Sequence, residues 1–232
     1  MDNPRADIEN MIINDDLRGL LERSAEIHGH YCPGLAIGVK AAYIACKKLD
    51  IVKSDGMEKI MTITECNNCS VDGIQTVSGC TLGNNALIYK DFGKTAFTFY
   101  KRGAGSGLRL VAKSFSTGED DPLEKEADAL FDKAVKKREQ LTPEESKRFS
   151  ELWKIRSYKV LEASDDKIFD IETVDEPKIE YAPMYDSIKC SVCGENVMET
   201  RIRMKNSEPI CVACSGDEYR MVAGRGIRTL ND

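Results

Sequence analysis

No apolar run in this 232-residue chain approaches the roughly 20 residues needed to cross a bilayer, so a membrane-spanning protein is not expected. Aromatic residues are scarce at 7%, with a single tryptophan, while apolar residues make up 41% and charged residues 31%. That balance suits a folded soluble chain and excludes a disordered one. A basic excess is also missing. The net charge is −6, so the chain as a whole lacks the electrostatic footprint of a general nucleic-acid binder, and only a local patch stays open. The stretch Met1 to Asp16 is polar and acidic and resembles neither a secretory signal nor a transit peptide, which makes a cytoplasmic protein the expectation. The length allows one ordinary domain plus a small appendage.

Cysteine, by contrast, is abundant. Nine cysteines in an intracellular chain argue against a disulfide framework, because that compartment keeps thiols reduced, and for metal or thiol chemistry. They fall in two groups. Cys190 and Cys193 are separated from Cys211 and Cys214 by 17 intervening residues, a spacing that gives one ion two thiolates from each of two short turns. Gly194 suits the first turn as a knuckle, and Ser215 to Met221 is expected as a short helix carrying the last pair, which together make a treble-clef-like zinc finger. A segment this small cannot hold a core without its metal. Arg201, Arg203, Lys205, Arg220, Arg225 and Arg228 leave nucleic-acid binding open without favouring it, since acidic residues from 190 onward equal the basic ones in number.

The rest reads as an α+β core of antiparallel strands packed with helices over 1–175, joined to the finger at 190–232 by a Pro-containing linker at 176–189. Leu17, Leu20, Leu21, Ser24 and His28 follow helical spacing behind Asn14 or Asp15 as a cap. Gly29 ends that helix, and Pro33 opens the next, in which Gly34, Ala36, Gly38, Ala41 and Ala45 permit close packing. Ile60 to Thr64 is a strand by its β-branched content, and a short helix is expected from about Val71 to Val77. Thr95 to Tyr100 and Leu108 to Lys113 read as a hairpin. Pro122 opens a helix, and Thr142 with Glu145 forms the capping box of another. Tyr158 to Leu161 and Ile168 to Val174 are expected as short strands.

The two histidines of the chain, His28 and His30, stand within five residues of Cys32. Imidazole with thiolate suits zinc, iron, nickel or copper, and a turn between two helices can aim several side chains at one point. His28 equally fits the apolar face of the first helix as a core residue. Cys66 and Cys69 form a CxxC pair, and Cys80 sits in a tight turn; each is a ligand or reactive thiol, or else a buried inert one. Asp72, three residues past Cys69, is a candidate base or a partner to a ligand, and Lys94 or Arg102 is placed to meet an anionic substrate. Cys46 belongs to a helical apolar stripe and reads as core.

The segments His28-Gly29-His30-Tyr31-Cys32-Pro33-Gly34, Cys69-Ser70-Val71-Asp72-Gly73-Ile74-Gln75, Gly79-Cys80-Thr81-Leu82-Gly83-Asn84 and Gly93 to Phe99 resemble the FmdE family, the E component of formylmethanofuran dehydrogenase, over about residues 15 to 115. Gly73 stands where the family often has Ala, a change expected to matter little. The resemblance implies an α+β core, a tightly associated homodimer, and a metal site using His28, His30 and Cys32 with the later cysteines, Cys69 and Cys80; from the residues themselves, Cys69 and Asp72 are the expected catalytic groups. It also implies a link to molybdenum or tungsten enzymes that interconvert carbon dioxide and a formyl group. Zinc is the first choice for the core metal and iron the second. The chain lacks the regularly spaced cysteine runs of iron–sulfur carriers, so an accessory role beside such an oxidoreductase is expected. The competing expectation is a metal- or redox-responsive module whose finger docks on a protein or nucleic acid.

Overall fold

In the computed structural model, which describes residues 3–114 and 121–229, the chain divides into two compact units, 1–178 and 179–232. Met1–Asp2 and residues 230–232, at the two ends of the expected domains, lie outside the described residues. The first unit opens with α1 (Ala6–Ile13), α2 (Leu17–His28) and α3 (Pro33–Lys48). There follow β1 (Ile60–Thr64), α4 (Ser70–Ser78), β2 (Leu87–Tyr89), β3 (Ala96–Lys101), β4 (Ser106–Ala112), α5 (Pro122–Phe131), α6 (Pro143–Glu162), α7 (Asp165–Ile168) and β5 (Phe169–Asp175). Five strands pair in the order β2-β1-β3-β4-β5, with β1 and β2 parallel and the other pairs antiparallel. The register sets Thr62 opposite Phe99, Thr64 opposite Phe97, Phe97 opposite Leu110 and Phe99 opposite Leu108, so one buried face joins β1, β3 and β4.

Local signals account for most boundaries. Asp16 caps α2 by accepting from Gly19 N at 2.9 Å, a role expected one or two residues earlier, and Gly29 ends it at φ 85°. The Thr142–Glu145 capping box opens α6 as the sequence requires. Tyr158 to Leu161, expected as a strand, is the last turn of that helix. The buried positions Leu152, Ser157, Val160 and Leu161 carry the helical period straight through it, overriding the local strand preference of Tyr and Val. Helix α1 and strand β2 had no sequence signal strong enough to find them.

Glycines at one seam set the position of everything else. A Cβ on Gly38 would lie 1.9 Å from the Ser70 carbonyl oxygen, and one on Gly73 would lie 2.6 Å from the Leu35 carbonyl oxygen. Helices α3 and α4 therefore cross backbone against backbone. Gly73 is not interchangeable with Ala here, contrary to the expectation above.

Lys40 is buried at 3% exposure, and its Nζ donates to the carbonyl oxygens of Leu161 at 3.0 Å and Val160 at 3.4 Å, and to that of Ala163. It thus closes the C-terminal end of α6 from the middle of α3, with Asp165 Oδ1 at 3.7 Å. Burial pushes its pKa down. Lys40→Met should lower the stability of the first unit by about 2 kcal/mol, because the helix-end carbonyls lose their donor inside the protein. Urea unfolding checks this as a fall in midpoint at unchanged slope.

The second unit consists of β6 (Ser187–Lys189), β7 (Asn196–Met198), a 3-10 turn, β8 (Ile202–Lys205), β9 (Glu208–Cys211), α8 (Val212–Ser215), β10 (Arg220–Ala223) and β11 (Gly226–Thr229). Successive strands form three separate hairpins. The helix expected at Ser215 to Met221 is displaced. Gly216, at φ 75°, ends α8 after one turn, and the segments beyond it pair as β10 and β11 with Ala223 opposite Gly226, a tight two-residue hairpin.

Candidate metal centre

The last turn of α2, the start of α3 and the start of α4 converge. His28 ends α2; Cys32 is the N-cap of α3, its Sγ accepting from Leu35 N at 3.3 Å; Cys69 stands at the N-cap of α4. The Gly38–Gly73 crossing draws the two N-termini together, and Gly34 completes the approach. A Cβ there would lie 3.1 Å from Cys69 Cβ and 3.9 Å from the Sγ atoms of both Cys32 and Cys69.

Ring nitrogens of His28 and His30 and the Cys32 sulfur all lie within 4.8 Å of one another. His28 Nε2 is 3.7 Å from Cys32 Sγ, close to the roughly 3.5 Å that separates nitrogen and sulfur ligands around a tetrahedral zinc ion. The other nitrogen, Nδ1, donates to Asp72 Oδ2 at 2.7 Å. A carboxylate only accepts, so this bond puts the proton on Nδ1 and leaves the Nε2 lone pair toward Cys32. Asp72 is held in turn by Gln75 Nε2 at 3.4 Å, one helical turn further on. Cys69 also faces the group. A hydrogen bond from Cys32, then the imidazoles of His28 and His30, bring its thiol down to about 5, while the Cys32 thiol is pushed up by the same bond and by burial. His30 is exposed and Cys32 buried, so the cluster reaches from the core to the surface.

Two expected candidates are not brought here. Cys80 lies past the far end of α4, about 14 Å along the helix from Cys69. It is fully buried, with its thiol donating to the Ile60 carbonyl oxygen at 3.3 Å. Burial pushes the Cys80 thiol up, and that of Cys46 up to about 12. Cys66 Sγ meets Ser70 Oγ at 3.8 Å instead of the cluster. Arg102 is engaged by the Glu58 carbonyl oxygen at 2.8 Å and the Glu58 carboxylate at 3.3 Å, which takes it out of the role of free anion receptor. The sequence reading missed Gln75, which the three-residue spacing from Asp72 on a helix would have shown.

In the second unit the sulfurs of Cys190, Cys193, Cys211 and Cys214 lie within 4.8 Å of one another, compared with about 3.8 Å for an ideal zinc tetrathiolate. Backbone donors already point at them. Cys211 N donates to Cys190 Sγ and Cys214 N to Cys211 Sγ, each at 3.3 Å. Gly194, at φ 75°, closes the knuckle by donating to the Cys190 carbonyl oxygen at 2.9 Å. Backbone N–H groups of Cys193 and Cys211 bring the Cys190 thiol down to about 6. Cys190, Ile210 and Cys211 form the small buried centre, with Val197 and Cys214 against it.

Residues 27–170 match the family model described as "FmdE, Molybdenum formylmethanofuran dehydrogenase operon", and residues 183–220 match that of the prokaryotic dksA/traR C4-type zinc finger. An Archaeoglobus fulgidus protein described as a "Probable S-adenosyl-L-methionine-binding protein" is 42% identical over 221 residues, 91% of this chain and 56% of its own length. The chain thus spans about half of that relative. The crystal structure of a tungsten formylmethanofuran dehydrogenase FmdE-like protein from Syntrophus aciditrophicus has 21% identity and a TM-score of 0.54, covering 86% of this chain and 92% of that one. That likeness shows the fold.

Proposed function

This chain belongs to the FmdE family of the molybdenum formylmethanofuran dehydrogenase operon, and we propose that its core holds a transition metal on His28, His30 and Cys32, with Cys69 adjoining, as an accessory to a molybdenum- or tungsten-dependent oxidoreductase. The observation that carries this reading is the orientation of His28. Its Nδ1–H is fixed by Asp72 at 2.7 Å and its Nε2 stands 3.7 Å from Cys32 Sγ, an arrangement that raises ligand basicity and fixes the tautomer. Zinc bound there supplies a Lewis acid and lowers the pKa of bound water. Asp72 acts through His28 and positions it; Cys69 keeps a negative sulfur beside the ligands, and His30 opens the cluster to solvent. The exposed His30 favours a reacting centre over a closed sensor site.

The experiment is elemental analysis of the full chain purified without chelators and supplied with zinc or iron. About two metals per chain are expected from two thiolate-bearing clusters. Replacing His30 and Cys32 together by Ala should leave about one, held by the finger. Two metals in that variant, or one in the unaltered chain, would sink the core site.

A second reading comes from the description of the Archaeoglobus relative. A cavity of ≈ 510 Å³ lies among α1, α2 and α4, and Asp7, Arg23, Glu26, Asp72, Gln75 and Thr76 give it both signs of charge, which suits a zwitterionic amino acid group. Titration calorimetry with S-adenosyl-L-methionine should give saturable heat if this reading holds, and none if the relative's other half carries that property.

A further inference from the structure

A cavity of ≈ 770 Å³ opens at the C-terminal end of α4, away from Cys69 at its head. Printed contacts run unbroken around its wall. Asn3 Nδ2 donates to Glu9 Oε2 at 2.9 Å, and Asn3 Oδ1 accepts from Arg5 N at 3.0 Å. The Arg5 guanidinium crosses to the last turn of α4 and donates to the carbonyl oxygens of Val77 at 2.6 Å and Thr76 at 3.1 Å. Gly79, the C-cap of α4 at φ 74°, lies against it, since a Cβ there would stand 2.8 Å from Arg5 Cζ. Asn84 Nδ2 donates to the Gly79 carbonyl oxygen at 2.8 Å, and a Cβ on Gly56 would lie 3.5 Å from that same nitrogen. From Gly56 the chain leads through Lys59 to Ile60, which pairs with Lys101 in the sheet.

Two groups on this wall are buried without a full set of partners. Glu9 is 6% exposed, and among the described residues Asn3 is the one group that hydrogen-bonds its carboxylate. Arg5 Nε is buried and has no hydrogen-bond partner among the described residues. Both are costly to keep, because a buried charge or N–H loses its water and gains nothing in return. The charge of Glu9 is felt by Arg5 through space, so what the carboxylate lacks is a donor rather than a cation. At the rim, Lys59 is held by Asp55 at 2.5 Å. Lys53 and Lys101 are exposed and meet no carboxylate among the described residues, and Asp50 is the remaining acid of the lining. With Asp55 and Lys59 cancelling, the cations Arg5, Lys53 and Lys101 outweigh the acids Glu9 and Asp50.

We propose that this cavity binds a phosphorylated sugar, its phosphate on Lys53 and Lys101 and its hydroxyls at Glu9 and Arg5. A phosphate dianion matches two ammonium groups that have no acid of their own. A sugar hydroxyl is donor and acceptor at once, so it gives the carboxylate its missing donor and takes the free Arg5 N–H. Pro4 and the buried Ile51 and Ile60 add an apolar strip suited to a nucleobase, so a nucleotide and a free sugar phosphate share the recognised chemistry. The inference stands apart from the metal centre, because His28, His30 and Cys32 do not line this cavity.

The experiment is titration calorimetry of the full chain, loaded with zinc and freed of excess metal, with ribose 5-phosphate as the probe. Saturable heat is expected. AMP in a parallel titration separates the sources: tighter binding points to a nucleotide and weaker binding to a free sugar phosphate, and either supports the site. Replacing Lys53 and Lys101 together by Met should weaken ribose 5-phosphate about tenfold or more, since charged hydrogen bonds are lost from two exposed positions that the fold does not need. Glu9→Gln, which keeps the shape and loses the charge of the acceptor, should weaken it about threefold or more; where that variant does not fold, the lysine pair carries the test. Ribose without the phosphate and inorganic phosphate without the sugar should each bind more weakly than the two joined. No saturable heat from ribose 5-phosphate, unchanged affinity in either folded variant, or inorganic phosphate binding as tightly as the ester would overturn the proposal.

Discussion

Replacing Cys193 by Ser should release the zinc of the C4-type finger and unfold residues 179–232 as a unit, leaving the first unit's melting behaviour unchanged. The buried centre of the finger is Cys190, Ile210 and Cys211 with Val197 and Cys214 against it, so three of its five members are themselves thiol ligands. Apolar burial on that scale cannot offset the ordering of some fifty residues, each costing about 1–2 kcal/mol of backbone entropy. Metal binding, worth roughly 10–16 kcal/mol in zinc-finger peptides at neutral pH, makes up the difference. Serine is a poor zinc ligand, and its substitution also breaks the four-sulfur set of which Cys193 is the exposed member. Acid should act in the same direction, because protons compete with the metal for all four thiolates as the pH falls, the Cys190 sulfur giving way last since backbone N–H groups bring its thiol down. Released zinc read with a chromophoric chelator, together with limited proteolysis, checks both effects. A serine variant whose finger resists protease as before would show that the fold stands without its metal.

Gly38→Ala should destabilise the first unit by about 4 kcal/mol or more, the upper end of what a single methyl group does. Two effects oppose each other. Alanine in a helix interior gains about 1 kcal/mol over glycine. Against that, the new Cβ would lie 1.9 Å from the Ser70 carbonyl oxygen and 2.8 Å from Ser70 Cα, both backbone atoms that no rotamer change can move. Helix α4 must shift away from α3, and Cys69, at the head of α4, shifts with it. The variant should therefore lose core metal even under conditions where it stays folded. Gly83→Ala is the control: its nearest neighbour would be Thr81 Oγ1 at 4.0 Å, and its effect should lie within about 0.5 kcal/mol. Thermal unfolding of the two variants side by side decides the matter, and equal melting temperatures would remove the close crossing as an explanation for the cluster.

That crossing also shows what the sequence could and could not reveal. Helical period and capping chemistry act within a few residues, so α2, α3, α4 and the capping box of α6 were legible, as were the hairpin of β3 and β4 and the spacing of the four finger cysteines. The HGHYC segment exposed His28, His30 and Cys32 for the same reason. Cys69 and Cys80 looked alike in sequence, each a cysteine beside a turn, and only the length of α4 between them separates a cluster thiol from an inert one. Gly73 looked neutral because nothing local records that the Leu35 carbonyl lies 2.6 Å from where a Cβ would go. Tyr158 to Leu161 went astray where a short β-like composition concealed a long helical period.

The most direct test of the core centre is zinc K-edge X-ray absorption on the full chain with Cys193 and Cys211 replaced by Ser, in which the finger no longer contributes a metal. The expected result is about one bound zinc per chain with nitrogen neighbours at roughly 2.0–2.1 Å and sulfur at roughly 2.3 Å. A chain that binds no metal after zinc is supplied, or one whose zinc has only oxygen neighbours, would contradict a centre built on His28, His30 and Cys32.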